Sequence, residues 1–361
     1  MYKMKGEKLN PVGFHMPAEW EPHEGTWLVW PHDDQELGYQ LKLEKTWLEM
    51  TSVLHEHENV HIIVQDERRG EHVEQQLRFF GIGLGSIDFH IIPTNDVWIR
   101  DNGPIFVVNK DGKLAITNWE FNGWGGRYEH EMDKLVPLRM AKKLSMPAFS
   151  PSMILEGGAV EVNGRGTFMA TRSSIINSNR NSGKTQEDVE GIIKKYLGVK
   201  RFIWLTGAAD ASRWGDDTDW HVDIAARFVS ESTMLYNWAE EEAEPRYSML
   251  KKHYEELRHA TTESGKPLTL VPLPLPKGGV YSTSKIGGTA SDYTDAAYSN
   301  FLIANDAVLV PVFGNVNDDC AKKIIGGQFP NREIIGINCV ALNEGGGAIH
   351  CVTQQHPAGI L

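Results

Sequence analysis

The sequence predicts an α/β protein in which many short strands alternate with amphipathic helices. Short β-branched or aromatic runs recur along the whole chain, and helical periodicity appears between them. No Gly/Ser-rich or charged linker interrupts this alternation, which predicts one domain over residues 1–361. The helices are punctuated. Leu43, Trp47, Met50 and Leu54 recur at helical spacing, as do Val73, Leu77 and Phe80 before Gly81. Between Lys184 and Gly198, Thr185 stands as an N-cap with Asp188 at capping-box spacing. Val189, Ile192, Ile193, Tyr196 and Leu197 then share a face, and Gly198 stops the helix. Strand-like runs begin with Thr26–Trp30, Val60–Val64, Ile87–Ile92, Ile105–Val108 and Gly166–Ala170. They continue with Phe202–Leu205, Met234–Trp238, Leu268–Val271, Ala307–Phe313 and Ile334–Ile337. Pro272–Ser291, rich in Pro and Gly, reads as the principal loop. Glu156-Gly157-Gly158 echoes Glu344-Gly345-Gly346, a match too short to establish a repeat.

The chain of 361 residues carries 36 Lys+Arg against 48 Asp+Glu, a net charge of −12, with 41% hydrophobic residues. This composition excludes wholesale disorder. No apolar run reaches the ~18 residues of a membrane span. Met1 to Trp20 lacks the apolar stretch of a secretory signal. An acidic balance without a basic run argues against nucleic acid as the ligand and suits attraction of cations. Neither nucleic acid nor membrane is therefore expected as a partner. Cys320, Cys339 and Cys351 show no CxxC spacing, so neither a disulfide framework nor a zinc knuckle is expected. A reducing, cytoplasmic setting follows, in which one thiol can serve as a nucleophile.

Five segments hold acids, a histidine and a thiol in unusual company. In Asp96–Pro104, Asp101 follows strand-like alternation and precedes a Gly-Pro turn, so a carboxylate is expected at a strand end. An Arg100–Asp101 surface ion pair is the competing reading. In Ile154–Gly158, Glu156 follows apolar residues and needs a cation or turn amides to satisfy it. In Trp214–Asp223, His221 and Asp223 share a face if the peptide is extended. The aspartates here also suit a divalent metal, but the EF-hand order and the zincin HExxH are missing. Asn343–Ala348 supplies glycines for close backbone approach, without the Lys of a phosphate-binding loop. In Ile349–Gln355, Cys351 starts a short strand, with His221 a better partner than the adjacent His350, which should face the other way.

Together these segments resemble the agmatine deiminase branch of the guanidino-group-modifying (pentein) superfamily. The resemblance runs from Met16–His23 and Thr26–Pro31 through Asn122–Gly126, Leu155–Gly158 and Asn177–Asn181. It extends to Thr218–Asp223, Asn300–Asn305, Val310–Gly314 and Gly345–Pro357. It implies a five-bladed α/β-propeller of αβ modules with the site in a central channel. It also implies Cys351 as nucleophile, His221 as general acid/base, and Asp101, Glu156 and Asp223 as carboxylates around a guanidinium. Trp98 matches an aromatic lining position, and Gly346 and Gly347 fall in the glycine run at the site. No metal or organic cofactor is implied, the substrate is a small cationic guanidine, and the family is commonly homo-oligomeric. The residue chemistry agrees, because a guanidinium is a planar fork of N–H donors matched to carboxylates. Agmatine leads as substrate, ahead of a substituted guanidine and peptidyl-arginine. An amidinotransferase and a non-catalytic guanidine-binding protein are the rival readings. Trp220 and Ile224 depart from the family pattern around His221 and Asp223, so Trp220 is either core packing or a wall that alters substrate shape.

Overall fold

The computed structural model describes residues 10–32, 37–208, 216–280 and 294–360. Trp214 and Gly215 of the aspartate-rich segment, and 281–291 of the expected loop, lie outside them. The fold is α/β, and the ten sequence-predicted strands are all present within three residues of their expected bounds. One part of the expected loop is a strand instead. Pro272 and Pro274 end the strand Thr269–Pro274, which lies at a sheet edge where a proline's missing N–H is tolerated.

The strands form five sheets, and each sheet repeats one pattern. An antiparallel pair is followed by a helix that crosses to a third strand, parallel to the second. Glu161–Val162 and Thr167–Thr171 are antiparallel, and helix Gln186–Leu197 then leads to the parallel strand Arg201–Leu205. Ala226–Phe228, Thr233–Trp238 and Thr269–Pro274 repeat it around helix Tyr247–Leu257. Leu302–Ile303, Ala307–Val312 and Glu333–Asn338 do so around Asp318–Gly326. Ile105–Asn109, Leu114–Thr117 and Ala148–Phe149 do so around Val136–Lys143. The last sheet joins the chain ends. Thr353–Pro357 pairs antiparallel with His23–Val29, and helix Leu37–Leu54 leads to the parallel strand Asn59–Val64. The Glu-Gly-Gly echo is not this repeat. Glu156 precedes a first strand, whereas Glu344 ends the helix Val340–Glu344.

Local chemistry accounts for the elements. Thr185 accepts a hydrogen bond from the Asp188 N–H and the Asp188 carboxylate accepts one from the Thr185 N–H, closing the expected capping box. Gly198 ends that helix in the left-handed region at φ 67°. Val189, Ile193 and Leu197 are buried on its inner face. Trp47, Met50 and Leu54 are likewise buried, but Phe80 is 61% exposed because its helix has already closed at Phe79. Among the described residues no helix is long and apolar enough to cross a membrane.

Candidate active site

The entry to the first strand of every sheet delivers one polar group to a common place. Asp101 lies in the turn Ile99–Asn102 before Ile105–Asn109, and Glu156 stands before Gly157–Ala159 and Glu161–Val162. Asp223 sits in Val222–Ile224 before Ala226–Phe228, Asn300 precedes Leu302–Ile303, and Cys351 sits in His350–Val352 before Thr353–Pro357. Four of these entries are single helical turns, and Asn300 lies outside any helix. Asp101 is therefore not at a strand end, His221 and Asp223 are not on one strand, and Cys351 precedes its strand rather than opening it.

The aspartate-rich segment owes its shape to a tight reversal. Asp219 and Trp220 both adopt positive φ, 60° and 70°, a conformation that a bulky residue holds only when other contacts impose it. The Asp216 carboxylate supplies one of them, accepting from the Trp220 N–H at 2.6 Å and from Thr218. His221 thereby turns inward. The other acids disperse: Asp219 binds Arg127 and Arg180, Asp217 accepts from the Tyr128 hydroxyl, and Asp223 meets His350. No cation cluster of the kind considered from sequence is assembled by these aspartates.

A cavity of about 290 Å³ opens at the thiol, lined among others by Tyr39, Asp96, Trp98, Asp101, Trp124, Gly346 and Cys351. The Cys351 Sγ lies 3.4 Å from Asn300 Oδ1, its acceptor, and 4.0 Å from Asp223 Oδ2. His221 Nε2 is 2.8 Å from Glu156 Oε2, and its Nδ1 is 3.6 Å from Asp101 Oδ1. Trp124 Nε1 and the Gly158 N–H each donate to Asp101 at 2.9 Å. Glu156 is fully engaged, because Arg180 Nε donates to its other oxygen. Asp223 is not: His350 Nδ1 holds Oδ2 at 2.8 Å, while Oδ1 is buried without a hydrogen-bond partner.

Glycines make this proximity possible at two positions. A Cβ on Gly158 would stand 2.6 Å from His221 Nδ1, 2.8 Å from Asp101 Oδ1 and 3.1 Å from Asp223 Oδ2. A Cβ on Gly347 would meet the Trp98 ring at 2.5 Å and the Cys351 Sγ at 3.2 Å. Gly347 thus makes room for the thiol and the indole, while Gly346 lines the cavity itself. Trp220, expected from sequence as a possible wall, is 1% exposed and packs with Met169, Ile203, Phe228 and Met234 instead. Ile224 packs in the same cluster.

The electrostatics follow from burial beside many acids. Burial opposes the charged ring of His221, but Asp101, Glu156 and Asp223 together outweigh it and hold its pKa at about 9. Burial raises Asp101 to about 6 despite the nearby imidazolium. Burial also works against ionised Glu156 and Asp223, yet Arg180 and His221 hold the first, and His350 the second, below the usual carboxylate range. Burial, then Asp223 and Asp101, push the Cys351 thiol well above its ordinary value. The protein alone therefore holds a cationic imidazole and a neutral thiol at neutral pH.

Sequence reasoning had not assigned roles to Asn300, Arg180, Trp124 or His350. The Asn122–Gly126, Asn177–Asn181, Asn300–Asn305 and Gly345–Pro357 stretches of the resemblance contain all four, but only the folded chain shows what they touch. His350 was set aside as facing away from Cys351, and the structure gives it a different pairing, between Asp223 and Glu19.

A buried acid-rich pocket with a thiol at its wall, on an α/β frame, defines an enzyme site shaped for a small cation. The chain belongs to the Porphyromonas-type peptidyl-arginine deiminase family, whose model matches residues 15–357. A Shewanella sp. (strain MR-4) protein provisionally named agmatine deiminase is 32% identical, over 98% of this chain and 96% of its own. The solved structure of an Enterococcus faecalis agmatine deiminase superposes with a TM-score of 0.89 at 28% identity, covering 100% of both chains. A cysteine-to-serine variant of C. jejuni agmatine deiminase with substrate bound gives 0.84 at 29% identity, over 98% of this chain and 100% of that one.

Proposed function

We propose that this chain is a cysteine-dependent deiminase that converts agmatine and water to N-carbamoylputrescine and ammonia. The observation that carries the reading is a small cavity lined by Cys351 and Asp101, with Asp223 against the thiol and His221 held between Asp101 and Glu156 directly behind them. A guanidinium satisfies this site in a way that a neutral ligand does not. Its N–H fork supplies the donor that Asp223 Oδ1 lacks and places a positive charge between Asp223 and Asp101. That charge offsets the two acids that keep the thiol protonated, so binding the substrate favours the thiolate.

The thiolate of Cys351 then attacks the guanidinium carbon held flat against it. His221, cationic before the reaction, gives its proton to the departing ammonia, and a covalent thiouronium remains. The imidazole, now neutral, takes a proton from water as that water attacks the same carbon. The carbon–sulfur bond breaks, and a ureido product leaves with the thiolate restored. Glu156 acts through His221, holding its ring toward the reacting carbon. No metal or organic cofactor takes part in this scheme.

The reading includes the frame. The five sheets with one shared pattern, each delivering one group, support a five-bladed α/β-propeller and a single catalytic domain over residues 1–361. It also includes a cytoplasmic setting, where a nucleophilic thiol stays reduced. The family's description favours peptidyl-arginine as a second substrate reading, whereas a cavity of about 290 Å³ suits a small free guanidine.

Purified protein is incubated with a panel of guanidines, without any acceptor amine, and scored for ammonia and ureido product. Acid quench followed by mass spectrometry looks for the adduct on Cys351. Ammonia from agmatine with an adduct at Cys351 is the expected result. Agmatine inert while another guanidine turns over overturns the substrate and leaves the chemistry. Release of ammonia from none of them overturns both.

A further inference from the structure

The sheet that joins the chain ends carries a second cluster of donors. Glu24 lies on His23–Val29, His61 on the neighbouring strand Asn59–Val64, and His356 on Thr353–Pro357 at the other side. One donor atom from each, two imidazole nitrogens and a carboxylate oxygen, lie within 4.8 Å of one another. His61 Nε2 is 2.8 Å and His356 Nδ1 is 3.1 Å from the same oxygen, Glu24 Oε2. His356 is 2% exposed, and its Nε2 has no hydrogen-bond partner among the described residues. A buried imidazole nitrogen left unsatisfied is uncommon, since such groups nearly always find a partner.

We infer that Glu24, His61 and His356 form a binding site for a divalent first-row metal ion of the zinc type. Two imidazoles and a carboxylate are a borderline-soft donor set matched to zinc, and three protein ligands leave a fourth position for water. The rings are already fixed. Phe106 stacks on His356 at 4.5 Å with 12° between planes, and Trp27 stacks on His61 at 4.4 Å with 20°. Outer contacts of the kind that orient metal ligands are also in place. His61 Nδ1 lies 3.2 Å from His90 Nε2, and Asn59 Nδ2 donates to Glu24 Oε1 at 2.9 Å. Ligands on tetrahedral zinc sit about 3.3 Å apart, given bonds of ~2.0–2.1 Å, so each imidazole needs to open from the Glu24 oxygen by a few tenths of an ångström. Glu24 allows this because its side chain is 37% exposed, which also gives the ion a route in. The site is separate from the cavity at Cys351 and would tie the C-terminal strand to the two strands beside it.

Tag-free protein, stripped with a chelator, is titrated with Zn²⁺ by calorimetry and with Co²⁺ by visible absorption, alongside thermal melts. One equivalent per chain and a raised Tm are expected, both lost in Glu24→Gln and in His356→Asn. Glu24→Gln is the secure arm, since a half-exposed, nearly isosteric change leaves the fold intact, and its metal-free melt checks this. Absence of saturable binding overturns the inference. So does binding that survives Glu24→Gln, or that disappears in Cys320→Ser, which would assign the ion to the exposed thiol.

Discussion

His350 Nδ1 sits 2.8 Å from Asp223 Oδ2, and its Nε2 sits 2.8 Å from Glu19 Oε2, so one imidazole spans two buried carboxylates. The contact fixes the Asp223 carboxylate and leaves Oδ1 as its unsatisfied oxygen. Replacing His350 with Asn removes that bridge while keeping a polar side chain. We expect kcat/KM for agmatine to fall on the order of 10²-fold, because Asp223 no longer aims at the cation. Stability should fall by about 1–3 kcal/mol as buried acceptors lose their donor. Steady-state kinetics beside chemical denaturation separates the two effects. Unchanged kcat/KM would remove His350 from any positioning role.

His221 and Asp101 both make the fold less stable as pH rises, each in its own window. In the unfolded chain the imidazole titrates near 6.5, whereas the folded site raises it to about 9. Its stabilising contribution is therefore complete below 6.5 and is lost as pH rises through about 9. Asp101 moves from 3.8 to about 6, so its destabilising contribution is absent below 3.8 and complete above about 6. Thermal melts from pH 7 upward should show a loss of Tm toward pH ~9 that His221→Gln abolishes. Turnover should decline over the same alkaline range, because the imidazolium that protonates ammonia is being removed. A wild-type alkaline limb identical to that of His221→Gln sinks the assignment.

Most of the residues that the structure gathers around the thiol were legible in the sequence. Asp101, Glu156 and Cys351 stood out beside glycines or apolar residues, and His221 and Asp223 by their spacing of two. Their local shapes were not legible. Asp101 and Asp223 sit on single helical turns, and the reversal that aims His221 depends on Asp216 capping the peptide of Trp220. Periodicity over so few residues carries no signal for such turns. Asn300 and Arg180 were invisible for another reason. Asn300 meets Cys351 from a different sheet, and Arg180 meets Glu156 from a short helix in the crossover of the same sheet, so only the folded chain shows either pair. Ten strands, by contrast, were readable as β-branched or aromatic runs bounded by turn residues, whereas short ones such as Glu161–Val162, Ala226–Phe228 and Leu302–Ile303 were not.

Trp220 tests the line between packing and recognition. Its ring is buried among Met169, Ile203 and Phe228, so it does not wall the cavity. Trp220→Ala should therefore destabilise the protein by about 3–5 kcal/mol, as large core truncations do. Trp220→Phe should lower Tm by less and leave KM for agmatine, and the ranking of other guanidines, unaltered. A changed ranking in Trp220→Phe at constant stability would return this side chain to the substrate's surroundings.

Gly158 and Gly347 predict two distinct failures from the same one-carbon change. The added Cβ at Gly158 overlaps His221 Nδ1 at 2.6 Å and Asp101 Oδ1 at 2.8 Å, and both are held from other sides by Glu156 and Trp124. Neither can retreat cheaply, so Gly158→Ala should lower kcat on the order of 10²-fold through the misplaced imidazole. The overpacking should also cost about 1–3 kcal/mol of stability. At Gly347 the added carbon meets the Trp98 ring at 2.5 Å and Cys351 Sγ at 3.2 Å, leaving His221 untouched. Gly347→Ala should therefore change how fast Cys351 is alkylated by iodoacetamide, whereas Gly158→Ala should change the alkaline limb of the pH–rate profile. Measuring both readouts on both variants separates the thiol from the imidazole. Equal responses would mean that the two glycines only support the fold.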